Sequence, residues 1–280
     1  QARGSRVFKC LGISQLSSLR TTFFQDVLRS AAAGCNSIGV WRNKIDELGT
    51  EEAVDLLFEM KLTVSSLSWC GGFTGSEGSS FAMQIDDALE AIEQAAAFRA
   101  SCLLVQPGAL NGHIRRHAWR LLEDAFKILL PVAEDYGVRL ALEPMRASSW
   151  TLLNGLSETV EFIEQFANDQ IGLVWDLGHL GHDRSAFEQL PRLVNQISVV
   201  QLADQRQENQ RNGRCRLGEG ETPLRDWLRQ FDQAGYRGPW EIEVPISGAT
   251  PQPNTCLWQD NLEVLRGLVP AGSPNRRSQG

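Results

Sequence analysis

Short apolar runs, rich in β-branched residues, alternate along the chain with longer segments whose apolar residues recur at helical spacing. Such runs predict buried strands, and the amphipathic segments between them predict helices. The eight runs cover residues 7–14, 37–41, 62–69, 102–107, 138–144, 171–179, 197–204 and 240–245. Strands and helices that alternate in this way are typical of a parallel sheet, because parallel neighbours need a crossover connection.

The helical periodicity is clearest over residues 51–60, 156–166 and 224–231. Gly34, Gly137 and Gly235 each follow a helical segment directly before a strand, where a left-handed residue commonly ends a helix. Eight strand–helix units in 280 residues predict a single (β/α)₈ TIM barrel, an α/β fold that typically needs about 250 residues. A doubly wound open sheet is the alternative, but no GxGxxG motif follows the first strand.

We expect one domain over residues 1–280, with a barrel core at about 7–268 and a loose polar tail at 271–280. The net charge of −7 offers no basic surface for a nucleic acid. No apolar run approaches the ~20 residues that would span a bilayer, so no membrane partner is expected. The six cysteines are dispersed without a CxxC motif, which favours buried thiols in a reducing compartment, with the cytoplasm as the default.

Polar residues stand at the ends of four consecutive predicted strands: Glu143, Asp176, Gln201 and Glu243. The active sites of TIM barrels form at this end of the strands. One such acid alone is usually a helix cap or the partner of an arginine, but four at equivalent places are harder to explain by packing. Clustered buried carboxylates need a compensating cation or many hydrogen bonds. Three carboxylates and one amide suit one divalent ion such as Mn²⁺, Mg²⁺ or Co²⁺.

Several motifs together resemble the sugar phosphate isomerase/epimerase family of the xylose isomerase-like TIM barrel superfamily. They are LALEP (140–144), WDLGH (175–179), QLAD (201–204), LGEGE (217–221) and AGYRGPWEIEV (234–244). The resemblance covers residues 7–266, and its members are commonly homodimers or homotetramers.

The resemblance implies a role for each strand-end residue. Glu143, Asp176, Gln201 and Glu243 would bind one divalent metal, with Zn²⁺ as a further option. The two glutamates would also act as the acid/base pair, and His179 would line the substrate site. Glu241 lies two residues before Glu243 on the same strand face and is interpreted as a supporting charge.

Gln201 departs from the histidine that many members carry at this ligand position. Hydroxypyruvate isomerases and some 3-dehydroshikimate dehydratases have glutamine there, so the change is compatible with metal binding. It weakens the assignment as a ketose 3-epimerase.

Further substrate contacts are predicted from residues near the strand ends. Trp69 would either form a stacking wall or pack in the core, and His113 begins the helix after the fourth strand. Arg146 follows Glu143. Arg206 and Arg216, in the loop after the seventh strand, suit a carboxylate or a phosphate.

These residues favour a metal-dependent isomerase or epimerase that acts on a small carbohydrate or keto acid by removing a proton next to a carbonyl. A dehydratase of the 3-dehydroshikimate type shares this first step and is the main alternative. A non-catalytic sugar-binding barrel is a second, although it would be expected to lose one of the paired glutamates. A DNA-directed phosphodiesterase is set aside, because the chain is acidic and has four histidines.

Overall fold

Eight parallel strands close into a barrel in the computed structural model, which describes residues 8–75, 78–146, 151–206, 213–244 and 255–268. Along the chain they are β1 (Leu11–Ser14), β2 (Ser37–Trp41), β3 (Thr63–Gly71), β4 (Leu103–Gln106), β5 (Leu140–Leu142), β6 (Ile171–Asp176), β7 (Ile197–Leu202) and β8 (Trp240–Ile242). Each strand pairs with its sequence neighbours, and β8 pairs with β1. One strand falls in each predicted apolar run, so the predicted TIM barrel is confirmed.

Helices follow every strand and cover the outside of the barrel. They are α1 (Phe23–Ala32), α2 (Thr50–Glu59), α3 (Phe81–Ala97), α4 (Arg115–Tyr136), α5 (Gly155–Glu164), α6 (Leu177–Leu180), α7 (Arg184–Leu193), α8 (Leu224–Ala234) and α9 (Thr255–Leu268). Thr22 and Gln25 form a capping box at the start of α1. Gly137 and Gly235 end α4 and α8 in the left-handed conformation, as predicted. The expected tail at 271–280 lies outside the described residues.

The barrel interior has an apolar layer below and a polar layer above. The apolar layer is the buried cluster of Cys102, Leu104, Ala141, Val174 and Val199. Two residues further along the same four strands come Gln106, Glu143, Asp176 and Gln201. Because side chains two apart on a strand share a face, the polar layer lies over the apolar one at the carboxyl ends of the strands. No helix among the described residues is long and apolar enough to cross a membrane.

The loop after β7 is held down by the buried carboxylate of Asp204. Its Oδ1 accepts the backbone N–H groups of Gln205 at 2.8 Å and Thr222 at 3.0 Å. Its Oδ2 accepts those of Gly218 at 2.8 Å and Gly220 at 3.0 Å. A Cβ at Gly220 would lie 2.2 Å from Oδ1, so glycine is required for this close approach. One carboxylate thereby fixes both ends of the loop.

Replacing Asp204 with asparagine is expected to destabilise the fold by about 2–3 kcal/mol, because an amide N–H₂ would face backbone donors in a buried site. Urea unfolding would measure the change. Asp226→Asn, on the exposed face of α8, is the matched control and should change the free energy of unfolding by less than about 0.5 kcal/mol. Equal stabilities of the two variants would refute this role of Asp204.

Candidate active site

Four polar side chains from neighbouring strands meet at the carboxyl end of the barrel. Glu143 follows β5, Asp176 ends β6, Gln201 lies on β7 and Glu243 follows β8. Asp176 pairs in register with Gln201, which pairs in turn with Glu241, two residues before Glu243. Asp176 is 0% exposed, Gln201 1% and Glu143 5%. The structure therefore brings together the four predicted ligands, whose binding of a metal stays a prediction.

Both glutamates of this set are held in surroundings that favour the neutral acid. Burial raises the pKa of Glu143, and the negative charges of Asp176 and Glu243 raise it further. Burial also raises the pKa of Glu243, against the opposing effect of Arg214. The side-chain amide of Gln106, at the end of β4, lies 3.4 Å from Oε2 of Glu143 and favours its ionised form. Such a pair can hold one acid and one base near neutral pH.

Among the described residues, Arg214 is the one arginine whose guanidinium contacts these carboxylates. It lies on a short antiparallel strand pair formed by residues 204–205 and 214–215. Its Nη2 contacts Oδ2 of Asp176, and its Nη1 donates to Oε1 of Glu243 at 3.0 Å. A Cβ at Gly178 would lie 2.4 Å from the guanidinium carbon, so glycine makes room for it. Sequence reasoning missed Arg214, because it is one of several arginines in the same loop and no motif distinguishes it.

His179 faces Glu143 and Asp176 from the turn that follows β6. Asp176 Oδ1 accepts the backbone N–H of Gly178 at 2.6 Å, so the residue that ends β6 also caps α6. His179 Nε2 then lies 3.5 Å from Oε1 of Glu143 and 3.6 Å from Oδ2 of Asp176. Ligand atoms of these three residues all lie within 4.8 Å of one another, a spacing that suits a metal ion.

The hydrogen bonds of the His179 ring favour a role as a hydrogen-bond donor to the substrate over a role as a metal ligand. Burial lowers the pKa of the imidazole, so the neutral ring is favoured. Its Nδ1 accepts the backbone N–H of Arg146 at 3.4 Å, which leaves the proton on Nε2. A protonated ring nitrogen cannot coordinate a metal, but it can donate to a substrate oxygen.

Gln201 completes an oxygen-rich donor set. Its Nε2 donates to Oε2 of Glu243 at 2.7 Å and to Oε2 of Glu241 at 3.3 Å. Its Oε1 is buried and has no hydrogen-bond partner among the described residues. An orphaned amide oxygen beside three carboxylates, with one arginine to compensate them, fits a hard or borderline divalent cation.

Trp69 and Arg146 border this site. Trp69, near the end of β3, packs on the apolar layer of the barrel interior. Arg146 Nη2 donates to Oε1 of Gln205 at 2.8 Å, and Gln205 Nε2 contacts the carbonyl of Gly178. This network joins the loops that follow β5, β6 and β7. A role of Trp69 or Arg146 in binding substrate stays a prediction.

Three other residues that were predicted to contact the substrate bond to other groups of the protein. His113 Nε2 lies 3.1 Å from the carbonyl oxygen of Thr74. Arg206 pairs with Glu219 at 3.3 Å, and Arg216 pairs with Asp260 at 3.6 Å. These ion pairs are exposed, and their arginines would have to leave them to reach a substrate.

The metal-free protein is expected to lose stability as the pH rises from about 5 to about 8. The folded-state pKa values of Glu143 and Glu243 are raised, so the native state holds more protons than the unfolded chain across this window. The lowered pKa of His179 acts in the opposite direction. Denaturant unfolding in a chelating buffer would measure the slope. Glu143→Gln should make it shallower, and an unchanged slope in that variant would contradict the expectation.

Comparison with known proteins identifies a family. The model of the xylose isomerase-like TIM barrel family matches residues 27–268. Two curated relatives match part of the chain. A 3-dehydroshikimate dehydratase from Pseudomonas putida is 28% identical over 174 residues, and an uncharacterized protein from Methanocaldococcus jannaschii is 23% identical over 158 residues. These matches cover 59% and 55% of this chain, but only 26% of the dehydratase and 54% of the archaeal protein.

Solved structures share the fold over nearly the whole chain. A protein from Sinorhizobium meliloti superposes with a TM-score of 0.84 at 24% identity, covering 93% of this chain and 98% of that one. The IolI protein with a bound zinc atom gives 0.76 at 16% identity, covering 92% and 96%. A D-allulose 3-epimerase from Methylomonas sp. gives 0.77 at 18% identity, covering 96% and 100%.

Proposed function

Because the chain belongs to the xylose isomerase-like TIM barrel family, we propose that it is a divalent-metal-dependent isomerase or epimerase of a small sugar or hydroxy-keto compound. The observation that carries this proposal is the pair Glu143 and Glu243, one buried and one half-buried glutamate, both with raised pKa and both beside Asp176. Acids with raised pKa that meet at the carboxyl end of a TIM barrel are typical of sites that transfer protons.

Glu143, Asp176, Gln201 and Glu243 would hold the metal. Mn²⁺, Mg²⁺, Co²⁺ and Zn²⁺ all accept oxygen ligands of this kind, and the zinc atom in the IolI protein is consistent with a divalent ion in this fold. When bound, the cation would act as a Lewis acid that stabilises negative charge on the substrate oxygens.

The protein's own groups would move the protons. One glutamate, as the carboxylate, would take the proton from the carbon next to the substrate carbonyl, which gives an enediolate. The other glutamate, as the neutral acid, would return a proton to the opposite face of that carbon in an epimerase, or to the adjacent carbon in an isomerase. His179 would donate its Nε2–H to a substrate oxygen. The apolar layer and Trp69 would close the floor of the site against water.

A dehydratase is the second candidate. It is supported by the 28% identity to a 3-dehydroshikimate dehydratase. Gln201, in place of a histidine ligand, agrees with it. Such an enzyme would use the same glutamate to remove the proton and would then expel a β-hydroxyl as water, with the second glutamate as the proton donor.

Incubation with ketoses, hydroxypyruvate and 3-dehydroshikimate in D₂O would test the proposal. Solvent deuterium at the carbon next to the carbonyl of a recovered substrate or isomer is the expected result. Loss of water from the product would identify the dehydratase instead. Inertness across the panel with added metal would contradict both enzymes and favour a non-catalytic binding barrel.

A further inference from the structure

Glu241 places a further carboxylate in the barrel, deeper than those of the candidate ligands Glu143, Asp176 and Glu243. It lies on β8 and is 0% exposed. Its carboxyl group crosses the interior toward Gly39 on β2, where an added Cβ would lie 2.8 Å from the carboxyl carbon. The chain therefore keeps a glycine where any side chain would displace this acid, and the proton transfer described above makes no use of it.

The contact that links Glu241 to the site is the amide of Gln201. Gln201 Nε2 donates one hydrogen toward Oε2 of Glu241 at 3.3 Å and the other to Glu243 at 2.7 Å. One acceptor lies on β8 and the other directly after it, so the nitrogen end of the amide is turned toward that strand. The oxygen end is left buried and without a partner among the described residues.

An amide ligand has a requirement that a carboxylate ligand does not have. Its oxygen can coordinate a cation, whereas its NH₂ group is a donor with no lone pair to offer. A half-turn about the last side-chain bond would exchange the two ends and remove one ligand. Glu243 cannot hold the amide alone, because it is itself a candidate ligand whose carboxylate would turn toward the cation. An acceptor that stays out of the reaction is needed, and Glu241 is the one in contact.

We propose that Glu241 is a positioning residue that fixes the orientation of the Gln201 amide and so presents its oxygen to the metal. This inference rests on the proposed function, since it assumes that the site binds a divalent cation. Partners of this kind, which hydrogen-bond to a ligand behind the metal, typically contribute about 10–100-fold to metal affinity.

Titration of the full chain with Mn²⁺ in a calorimeter tests the inference with four variants. Glu241→Asp keeps the charge but withdraws the acceptor from Gln201, and it should weaken Mn²⁺ binding by about tenfold or more. Glu241→Gln should do the same, because its amide can turn either end toward Gln201. In Gln201→Glu the ligand is a carboxylate, which presents an oxygen in either orientation, so Gln201→Glu/Glu241→Asp should bind Mn²⁺ within about threefold of Gln201→Glu.

The visible spectrum of the Co²⁺-loaded protein supplies a second readout. Loss of the amide oxygen should change the band intensities in Glu241→Asp relative to the wild type, whereas Gln201→Glu and Gln201→Glu/Glu241→Asp should have the same spectrum. Wild-type affinity in Glu241→Asp would overturn the inference, because charge alone would then suffice. A tenfold loss of affinity on adding Glu241→Asp to Gln201→Glu would overturn it as well, because a carboxylate ligand needs no orienting partner. Failure of the wild type itself to bind Mn²⁺ would instead refute the proposed metal-dependent function on which the inference rests.

Discussion

Replacing either Glu143 or Glu243 with glutamine is expected to slow turnover by about 10²–10⁴-fold, the usual contribution of a general acid or base. The amide keeps the shape and one oxygen of the side chain but cannot take up a proton. Because the two glutamates act in sequence, their effects on exchange should differ. The variant that lacks the first base loses both exchange and turnover, whereas the variant that lacks the second group keeps exchange and loses turnover.

Deuterium incorporation followed by nuclear magnetic resonance would separate these cases for whichever substrate the panel identifies. Metal content must be measured on each variant, so that a loss of the cation is not mistaken for a loss of the proton carrier. Glu219→Gln is the matched control, since Glu219 lies on the same rim and pairs with Arg206 at the surface. Full exchange and full turnover in both Glu143→Gln and Glu243→Gln would contradict the assignment of the acid/base pair.

Removing the charge of Arg214 is expected to change stability and metal affinity in opposite directions. Its guanidinium contacts Asp176 and Glu243, two of the four candidate ligands. Arg214→Met should destabilise the metal-free protein by about 3 kcal/mol, because it leaves largely buried carboxylates without their cation. The same variant should bind Mn²⁺ about tenfold more tightly, since the metal no longer competes with a positive charge for those carboxylates. Melting temperatures with a chelator and with Mn²⁺ would measure both effects.

Arg206→Met is the matched control for this experiment. Arg206 lies in the same loop, but it pairs with Glu219 in an exposed ion pair. Such pairs contribute about 0–1 kcal/mol, so this variant should resemble the wild type with and without the metal. Weaker Mn²⁺ binding by Arg214→Met would contradict this expectation, because Arg214 would then stabilise the metal site and would not compete with the metal for the carboxylates.

The barrel and the four strand-end residues could be predicted because both follow from the pattern of apolar and polar residues along the chain. Alternating apolar runs and helical segments specify the strand order, and the register of parallel strands places residues such as Asp176 and Gln201 side by side. Asp176 ends β6, as predicted, although the run that predicts this strand extends to residue 179. The polar side chain that marks the site also caps the next turn, and hydrophobic periodicity does not report that hydrogen bond.

Arg214 and the contact of Glu241 could not be predicted in the same way. Arg214 is placed beside the carboxylates by the pairing of residues 214–215 with residues 204–205 and by the hydrogen bonds of Asp204 to Gly218 and Thr222, all of which join residues that are not neighbours in the chain. Glu241 was expected to be a supporting charge, but the space that Gly39 leaves for it becomes visible only when β2 and β8 are brought into one barrel. Side-chain partners across the interior are a property of the closed sheet.

Crystals of the protein grown or soaked with Mn²⁺ would reveal the ion through its anomalous signal. We expect one anomalous peak at the carboxyl end of the barrel, coordinated by oxygen atoms of Glu143, Asp176, Gln201 and Glu243, with the guanidinium of Arg214 displaced from at least one carboxylate. A map with no peak between these four side chains, and with Arg214 still bound to Asp176 and Glu243, would contradict this expectation.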